Sequence, residues 1–256
     1  MKICVCVKHV PDTAANIKLA GEKGFEDSEI KFVANPYDEY GIEEAVSIIE
    51  KHGGEVVIVT VGKSSAVTTI RSAMAMGAHR AILVKTDSRF LDSDLTAKAL
   101  KAVMEQDGLP DIIFTGKGSV DTENFQTQYR LAKSLGMSIV NEVSSLTLDG
   151  DKALAQRETI AGEKQVIEMR LPCVIGATKG LNEPRYPKFP DIMKAKKKEI
   201  KEIDLSELGI DASQGKVVIE KLEPVPERSG AKMLEGSVDD QTTELVRILK
   251  EDEKVL

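Results

Sequence analysis

Val56-Val57-Ile58-Val59-Thr60-Val61 decides the fold. The run is β-branched throughout and almost wholly apolar, the composition of a strand covered on both faces, as in a parallel sheet. Helical patterns stand on either side of it. Upstream, Tyr37 to Lys51 carries Ile42, Ala45, Ile48 and Ile49 at helical spacing and stops at Gly53-Gly54. Downstream, Ser64 to Met76 carries Val67, Ile70, Ala73 and Met74 and stops at Gly77. Ile3 to Val7, Ala81-Ile82-Leu83-Val84 and Ile112-Ile113-Phe114 repeat the strand pattern. Leu95 to Met104 and Phe125 to Leu135 repeat the helical one. Strands alternating with helices predict an α/β fold, a mostly parallel sheet flanked by helices in the Rossmann-like manner.

From Ile139 the pattern changes. Val140, Val143, Leu146 and Leu148 suit extended chain, and Asp149-Gly150 is a hairpin turn signal. Ala153 to Arg157 and Gln165 to Arg170 read as paired strands, an antiparallel extension of the sheet, before Val174-Ile175-Gly176-Ala177 returns to a buried run. After Pro190 the chain is charged and thin in large apolar residues, until Ser237 to Lys250 gives one helix with Leu245, Ile248 and Leu249 as its stripe. The expected organisation is an α/β nucleotide-binding domain over residues 1–190 and a C-terminal arm with a terminal helix over residues 191–256.

The bulk properties exclude several classes. Lys and Arg number 35 against 42 Asp and Glu, a net charge of −7 that argues against general nucleic-acid binding. No run of about 18 apolar residues offers a membrane span. Met1-Lys2-Ile3-Cys4-Val5 enters a strand with no signal-peptide pattern, so a cytoplasmic protein is expected. Cys4, Cys6 and Cys173 make no disulfide framework, and His9, His52 and His79 no metal spacing. No nucleophile elbow, G-x-G-x-x-G turn or Walker A loop is present.

What remains is the carboxyl edge of the sheet, where ligands of such folds sit. The loops leaving it are Val7 to Val10, Asn35 to Asp38, Val61 to Lys63, and Thr115 to Thr127. The last is the richest. Gly116 and Gly118 permit close approach, and Asp121, Thr122, Asn124, Gln126 and Thr127 offer polar groups at a helix N-terminus that favours phosphate. The same residues also serve as ordinary cap and turn chemistry, and spacing alone leaves both readings open. Arg157-Glu158, in a strand-like segment, reads on composition as exposed strand ions.

One stretch fits no core element: Leu181-Asn182-Glu183-Pro184-Arg185-Tyr186, then Phe189-Pro190-Asp191-Ile192-Met193-Lys194-Ala195-Lys196-Lys197-Lys198. It reads as an exposed loop offering one apolar knob, Leu181, to a partner. With Val5 to Thr13, Asn35 to Tyr40, Thr69-Ile70-Arg71, Ala73 to Ala78 and Leu208-Gly209-Ile210-Asp211, it closely resembles the β subunit of electron-transfer flavoproteins, over essentially the whole chain.

The resemblance implies an electron-carrier subunit, not an enzyme, that passes electrons from acyl-CoA dehydrogenase-type flavoproteins to a downstream acceptor. It implies a heterodimer with an α subunit that holds most of the FAD site and is wrapped by the arm, in a bacterial cytoplasm. It implies a buried adenine nucleotide in this subunit: AMP in ordinary members, or a second FAD, with NADH oxidised, in electron-bifurcating ones. Carried onto this chain, the cofactor-binding candidates are Val7, Lys8, His9, Asn35, Asp38, Val61, Asp121, Thr122, Asn124, Phe125, Gln126 and Thr127. Leu181, Asn182, Glu183, Pro184, Arg185 and Tyr186 correspond to the partner-recognition loop, and Arg157 and Glu158 to a pair near the flavin and the α subunit. Thr122 stands where bifurcating members carry a glycine, and Phe125 is bulky, which favours AMP.

Overall fold

The computed structural model describes residues 1–226, 230–231 and 233–256. They form two units, Met1–Lys221 and Leu222–Leu256. In the first, β1 (Lys2–Cys6), β2 (His9–Pro11), β3 (Leu19–Ala20), β4 (Gly24–Phe25) and β5 (Phe32–Ala34) precede α1 (Pro36–His52). Then come β6 (Glu55–Gly62), α2 (Val67–Ala75), β7 (Arg80–Lys85), α3 (Ser93–Asp107), β8 (Ile112–Gly116) and α4 (Thr127–Leu135). The hairpin region is β9 (Ser138–Asp149), β10 (Lys152–Glu158) and β11 (Lys164–Arg170). It is followed by β12 (Cys173–Ala177), α5 (Phe189–Ala195) and β13 (Ile200–Asp204).

Nine strands make one sheet in the order β11-β10-β9-β12-β8-β1-β6-β7-β13. From β9 to β13 every pairing is parallel, and only the β9–β10 and β10–β11 pairings of this sheet are antiparallel. The mostly parallel α/β sheet with an antiparallel extension is the architecture that the strand-helix alternation implied.

The continuous apolar runs are explained by two cores, one per face. Ile3, Val5, Ile58, Ile112 and Phe114 point toward α1, α2 and α5, with Ile42, Ile70 and Ala195. Cys4, Val57, Val59, Ile113 and Val174 point toward α3 and α4, with Leu100, Val103 and Leu131. Helix α1 forms where Asn35-Pro36 puts proline in the first turn, Asp38 and Glu39 complement the helix dipole, and Gly53 at φ 75° ends it by donating to the Ile49 carbonyl. Gly41 lets α1 lie against β8, since a Cβ there would stand 3.1 Å from Phe114 Cβ.

Two details depart from the sequence reading. The helix expected from Phe125 begins at Thr127, because Phe125 holds φ 50°, outside helical geometry. The sheet takes in β13, inside the stretch assigned to the arm. Ile203 and Leu205 are buried there, while Lys201 and Glu202 face out, and that half-charged alternation suits an edge strand.

The second unit carries α6 (Val238–Arg247), capped reciprocally by Ser237 and Asp240, with Leu245 and Val246 about half exposed. Residues 227–229 and 232 of the expected arm lie outside the described residues. No helix among the described residues is long and apolar enough to cross a membrane.

Candidate functional site

Strand order reverses between β1 and β8. The chain builds β1, β6 and β7 outward on one side, then returns through α3 to place β8 on the other side of β1. A crevice at the carboxyl ends is expected there, and three sequence candidates meet in it. Asp38, buried one turn into α1, accepts from the Lys8 amide (2.7 Å) through Oδ2, and from the Gly116 amide (2.9 Å) and Asn35 Nδ2 (2.9 Å) through Oδ1. Asn35 is equally committed. Its amide donates to the Lys8 carbonyl, Nδ2 also donates to the Gly118 carbonyl, and Oδ1 accepts from the Val120 amide. Burial outweighs these donors and pushes the Asp38 carboxyl up to about 7. Gly116 is required by the same packing, as a Cβ there would lie 2.5 Å from Asp38 Oδ1 and 2.7 Å from Tyr37 Cβ.

The Lys8 side chain turns to the loop after β8. Its ammonium donates to Asp121 Oδ1 (2.8 Å), Ser119 Oγ (3.2 Å) and Thr122 Oγ1 (3.2 Å). One cation, one carboxylate and two hydroxyls thus stand together at the mouth of the crevice. This set suits a single phosphate and the hydroxyls of a sugar. Further along, the phenyl ring of Phe125 covers Gly118, where a Cβ would stand 2.5 Å from the ring. The open face of that glycine is filled by this chain's own side chain. Asn124 and Gln126 are engaged locally: Asn124 Oδ1 accepts from the Gln126 amide and Gln126 Oε1 from Arg130, beside Thr127 at the start of α4.

The remaining cofactor candidates are placed as follows. Val7 is buried with its amide on the Val59 carbonyl, and Val61 is half-buried against the α3–α4 core. His9 stacks on Phe32 (4.6 Å between centroids), and its Nδ1 shares a hydrogen with Thr69 Oγ1 (2.7 Å), which ties that side of the ring to α2. Burial lowers its pKa, which favours the neutral ring. Arg157 shares a register row with Gly116 through Val143 and Ala177, three strand spacings away, about 14 Å. Its guanidinium donates to Gln165 Oε1 (2.9 Å), and Glu158 is exposed opposite Lys164. Burial pushes the Cys4 thiol up to about 12 and raises the Cys6 thiol well above its ordinary value, so neither is a ready thiolate.

The loop after β12 is clamped to α1. Arg185 forks onto Glu43 (2.8 and 2.9 Å) and Glu50 (2.6 and 3.0 Å), while Asn182 Nδ2 donates to the Tyr40 carbonyl and Glu44 Oε2. The guanidinium holds the Glu50 carboxyl below its ordinary range. Leu181 is half-buried against the core, contrary to the exposed knob read from sequence. The parallel strand brings it over the sheet, and its own backbone turns back on Thr178. Glu183 is exposed and Pro184 half-buried. The apolar side chains that protrude most are Tyr186 (95% exposed) and Phe189 (75%), with Ile192 and Met193 less exposed. Lys188, Lys194, Lys196 and Lys197 are exposed in the same stretch, while Lys198 turns inward to cap the end of α2 on the Met74 and Ala78 carbonyls.

The sequence pattern of the family described as Electron transfer flavoprotein domain matches residues 24–208. The electron transfer flavoprotein subunit beta of Bacillus subtilis is 34% identical over the full length of both chains. That of Bradyrhizobium diazoefficiens is 36% identical and the mitochondrial one of Arabidopsis thaliana 38%, again over the whole of both chains. This chain belongs to the electron transfer flavoprotein β subunit family.

Two residues of interest lie outside the sequence candidates. Ser119 completes the Lys8 cluster, and its signal was the Gly118-Ser119 pair just before Asp121. Phe189 lies in the same loop stretch, and an aromatic followed by proline at a helix start is an exposed position.

Proposed function

We propose that this chain is the nucleotide-holding β half of a heterodimeric electron carrier that takes electrons from an acyl-CoA dehydrogenase-type flavoprotein and delivers them to a downstream acceptor in a bacterial cytoplasm. The α subunit holds most of the FAD site, and the crevice between β1 and β8 holds AMP. Bound FAD supplies the redox chemistry. This chain contributes shape, a structural nucleotide and a docking surface.

The observation that carries this reading is the donor set at the crevice, one ammonium and two hydroxyls beside a carboxylate, with Phe125 seated on Gly118. One phosphate and one ribose match it. A pyrophosphate needs bare backbone of the kind that Phe125 covers, so AMP is favoured over a second FAD. Lys8, Ser119, Asp121 and Thr122 are the ligand-facing groups. Val7 and Val61 are apolar flanks, and Asn124, Gln126 and Thr127 shape the α4 N-terminus. Docking is carried by Tyr186 and Phe189 on a loop held by Leu181, Asn182, Pro184 and Arg185. Residues 222–256 grip the α subunit, and Arg157-Glu158 faces it.

The test is electron transfer from a reduced acyl-CoA dehydrogenase to the flavin of the purified α–β dimer, followed by absorbance. Catalytic-rate reduction supports the reading, and no reduction by any such dehydrogenase defeats it. A second expectation concerns the nucleotide. A ligand that binds only the folded state at about 100 times its dissociation constant adds about 3 kcal/mol, roughly 5–10 °C for a chain this size. Stripping AMP is expected to lower the melting temperature of the dimer by that amount and leave flavin reduction intact. An unchanged melting temperature argues against a structural nucleotide.

A further inference from the structure

Asp38 and Asn35 stand among the residues expected to touch a nucleotide, yet their geometry points inward. Each Asp38 oxygen is engaged within the chain: one by the Lys8 amide, the other by the Gly116 amide and Asn35 Nδ2. Both Asn35 functional atoms are taken by the backbone of Gly118 and Val120 and by Asp38. Asp38 and Asn35 are 4% and 1% exposed, so neither side chain faces a ligand. Their partners lie at or just beyond the carboxyl ends of the two strands between which the sheet order reverses. The spacing of β1's exit from the loop after β8 is therefore set by one carboxylate and one carboxamide at the start of α1.

We infer that Asp38, with Asn35, is the positioning residue of the nucleotide crevice, holding the Lys8 and Gly116 amides so that the Lys8 ammonium and the 116–122 loop converge on one phosphoribosyl group. This rests on the nucleotide reading proposed above. All the groups that bond to the carboxylate are N–H donors, so only an acceptor with both oxygens free of hydrogen satisfies them. An amide at this position keeps the shape but turns one donor site toward a donor. A protonated carboxyl does the same. The charged and titratable groups that bear on Asp38 are the Lys8 ammonium and the Cys6 thiol, and the latter stays neutral.

The experiment measures AMP affinity of the stripped α–β dimer by calorimetry, at about pH 8 and about pH 6, either side of the Asp38 titration near 7. Asp38→Asn is expected to weaken AMP binding about tenfold per folded dimer at the higher pH, the loss of one charge-assisted hydrogen bond. At the lower pH the gap should shrink, because the protonated wild-type residue then resembles asparagine. AMP's own phosphate titration is common to both proteins and cancels in the ratio. Gly116→Ala is the second variant. It displaces the Asp38 oxygen without altering its charge, since the new Cβ would lie 2.5 Å from Oδ1. It should weaken AMP to a similar degree. Equal or tighter AMP binding by Asp38→Asn, or a gap that ignores pH, overturns the inference. A wild-type dimer that binds no AMP at all defeats instead the nucleotide reading on which it rests.

Discussion

Phe189→Ala is expected to slow electron transfer from the dehydrogenase about 30-fold at sub-saturating concentrations, with flavin content and melting temperature unchanged. The side chain is three-quarters exposed, at the start of α5. Its removal therefore takes almost no buried surface from the folded chain, and surface changes of this kind stay within about 0.5 kcal/mol. In a complex the same ring is a well-placed aromatic anchor, and truncating such anchors costs about 2 kcal/mol or more, roughly 30-fold in affinity. Its backbone is fixed independently of the ring, because Arg71 ties the Ala195 and Lys198 carbonyls and so holds the far end of α5. Leu181→Ala should show the opposite signature. Leu181 packs on the sheet core, so about 2 kcal/mol of stability is expected to go, while docking survives in the molecules that remain folded. Stopped-flow reduction and urea denaturation of both variants separate the two. If Leu181→Ala loses transfer at full stability while Phe189→Ala keeps it, the assignment of the docking residue is reversed.

Gly176→Ala is expected to destabilise the fold by about 2–4 kcal/mol. Gly176 lies in β12, between β8 and β9, and an added Cβ would land inside the carboxamide of Asn141 and 3.1 Å from its Cα. The main chain of β9 would have to move as well as the side chain. Overpacking costs about 1–3 kcal/mol. Asn141 Nδ2 donates to the Lys117 carbonyl, which also receives Gln128 Nε2, and losing that bond adds about 1 kcal/mol. The disturbance thus reaches the start of the nucleotide loop. Asn141→Ala in the same chain should recover part of the loss. A double-mutant cycle by urea denaturation is expected to give a coupling of about 1.5 kcal/mol or more. Strict additivity would mean that the two residues do not press on each other.

Much of the fold could be read from the sequence because its strands are buried on both faces. Val56 to Val61 and Ile112 to Phe114 carry no polar alternation to confuse them. Helix ends were equally plain where glycine takes a left-handed or related conformation, as at Gly53 and Gly136. The rest was hidden for identifiable reasons. The pairs β2–β5 and β3–β4 involve strands of two or three residues, too short for any period. Strand β13 alternates Ile and charge in a lysine-rich context, which resembles a solvated linker until β7 offers it an edge. At the crevice, residue types pointed to the right loops, but direction was not encoded locally. Asp38 turns inward because β1 and β8 bring two amides to it, a contact between residues 30 and 78 positions away in sequence. The same holds for Leu181. A leucine followed by Asn-Glu-Pro looks exposed, and only the sheet beneath it shows otherwise.

The most direct test is to co-purify the α–β dimer, precipitate the protein and count the nucleotides released. One FAD and one AMP per dimer is the expected result. Two FAD and no AMP would contradict the crevice assignment, and a chain that purifies alone with no flavin-bearing companion would contradict the carrier role itself.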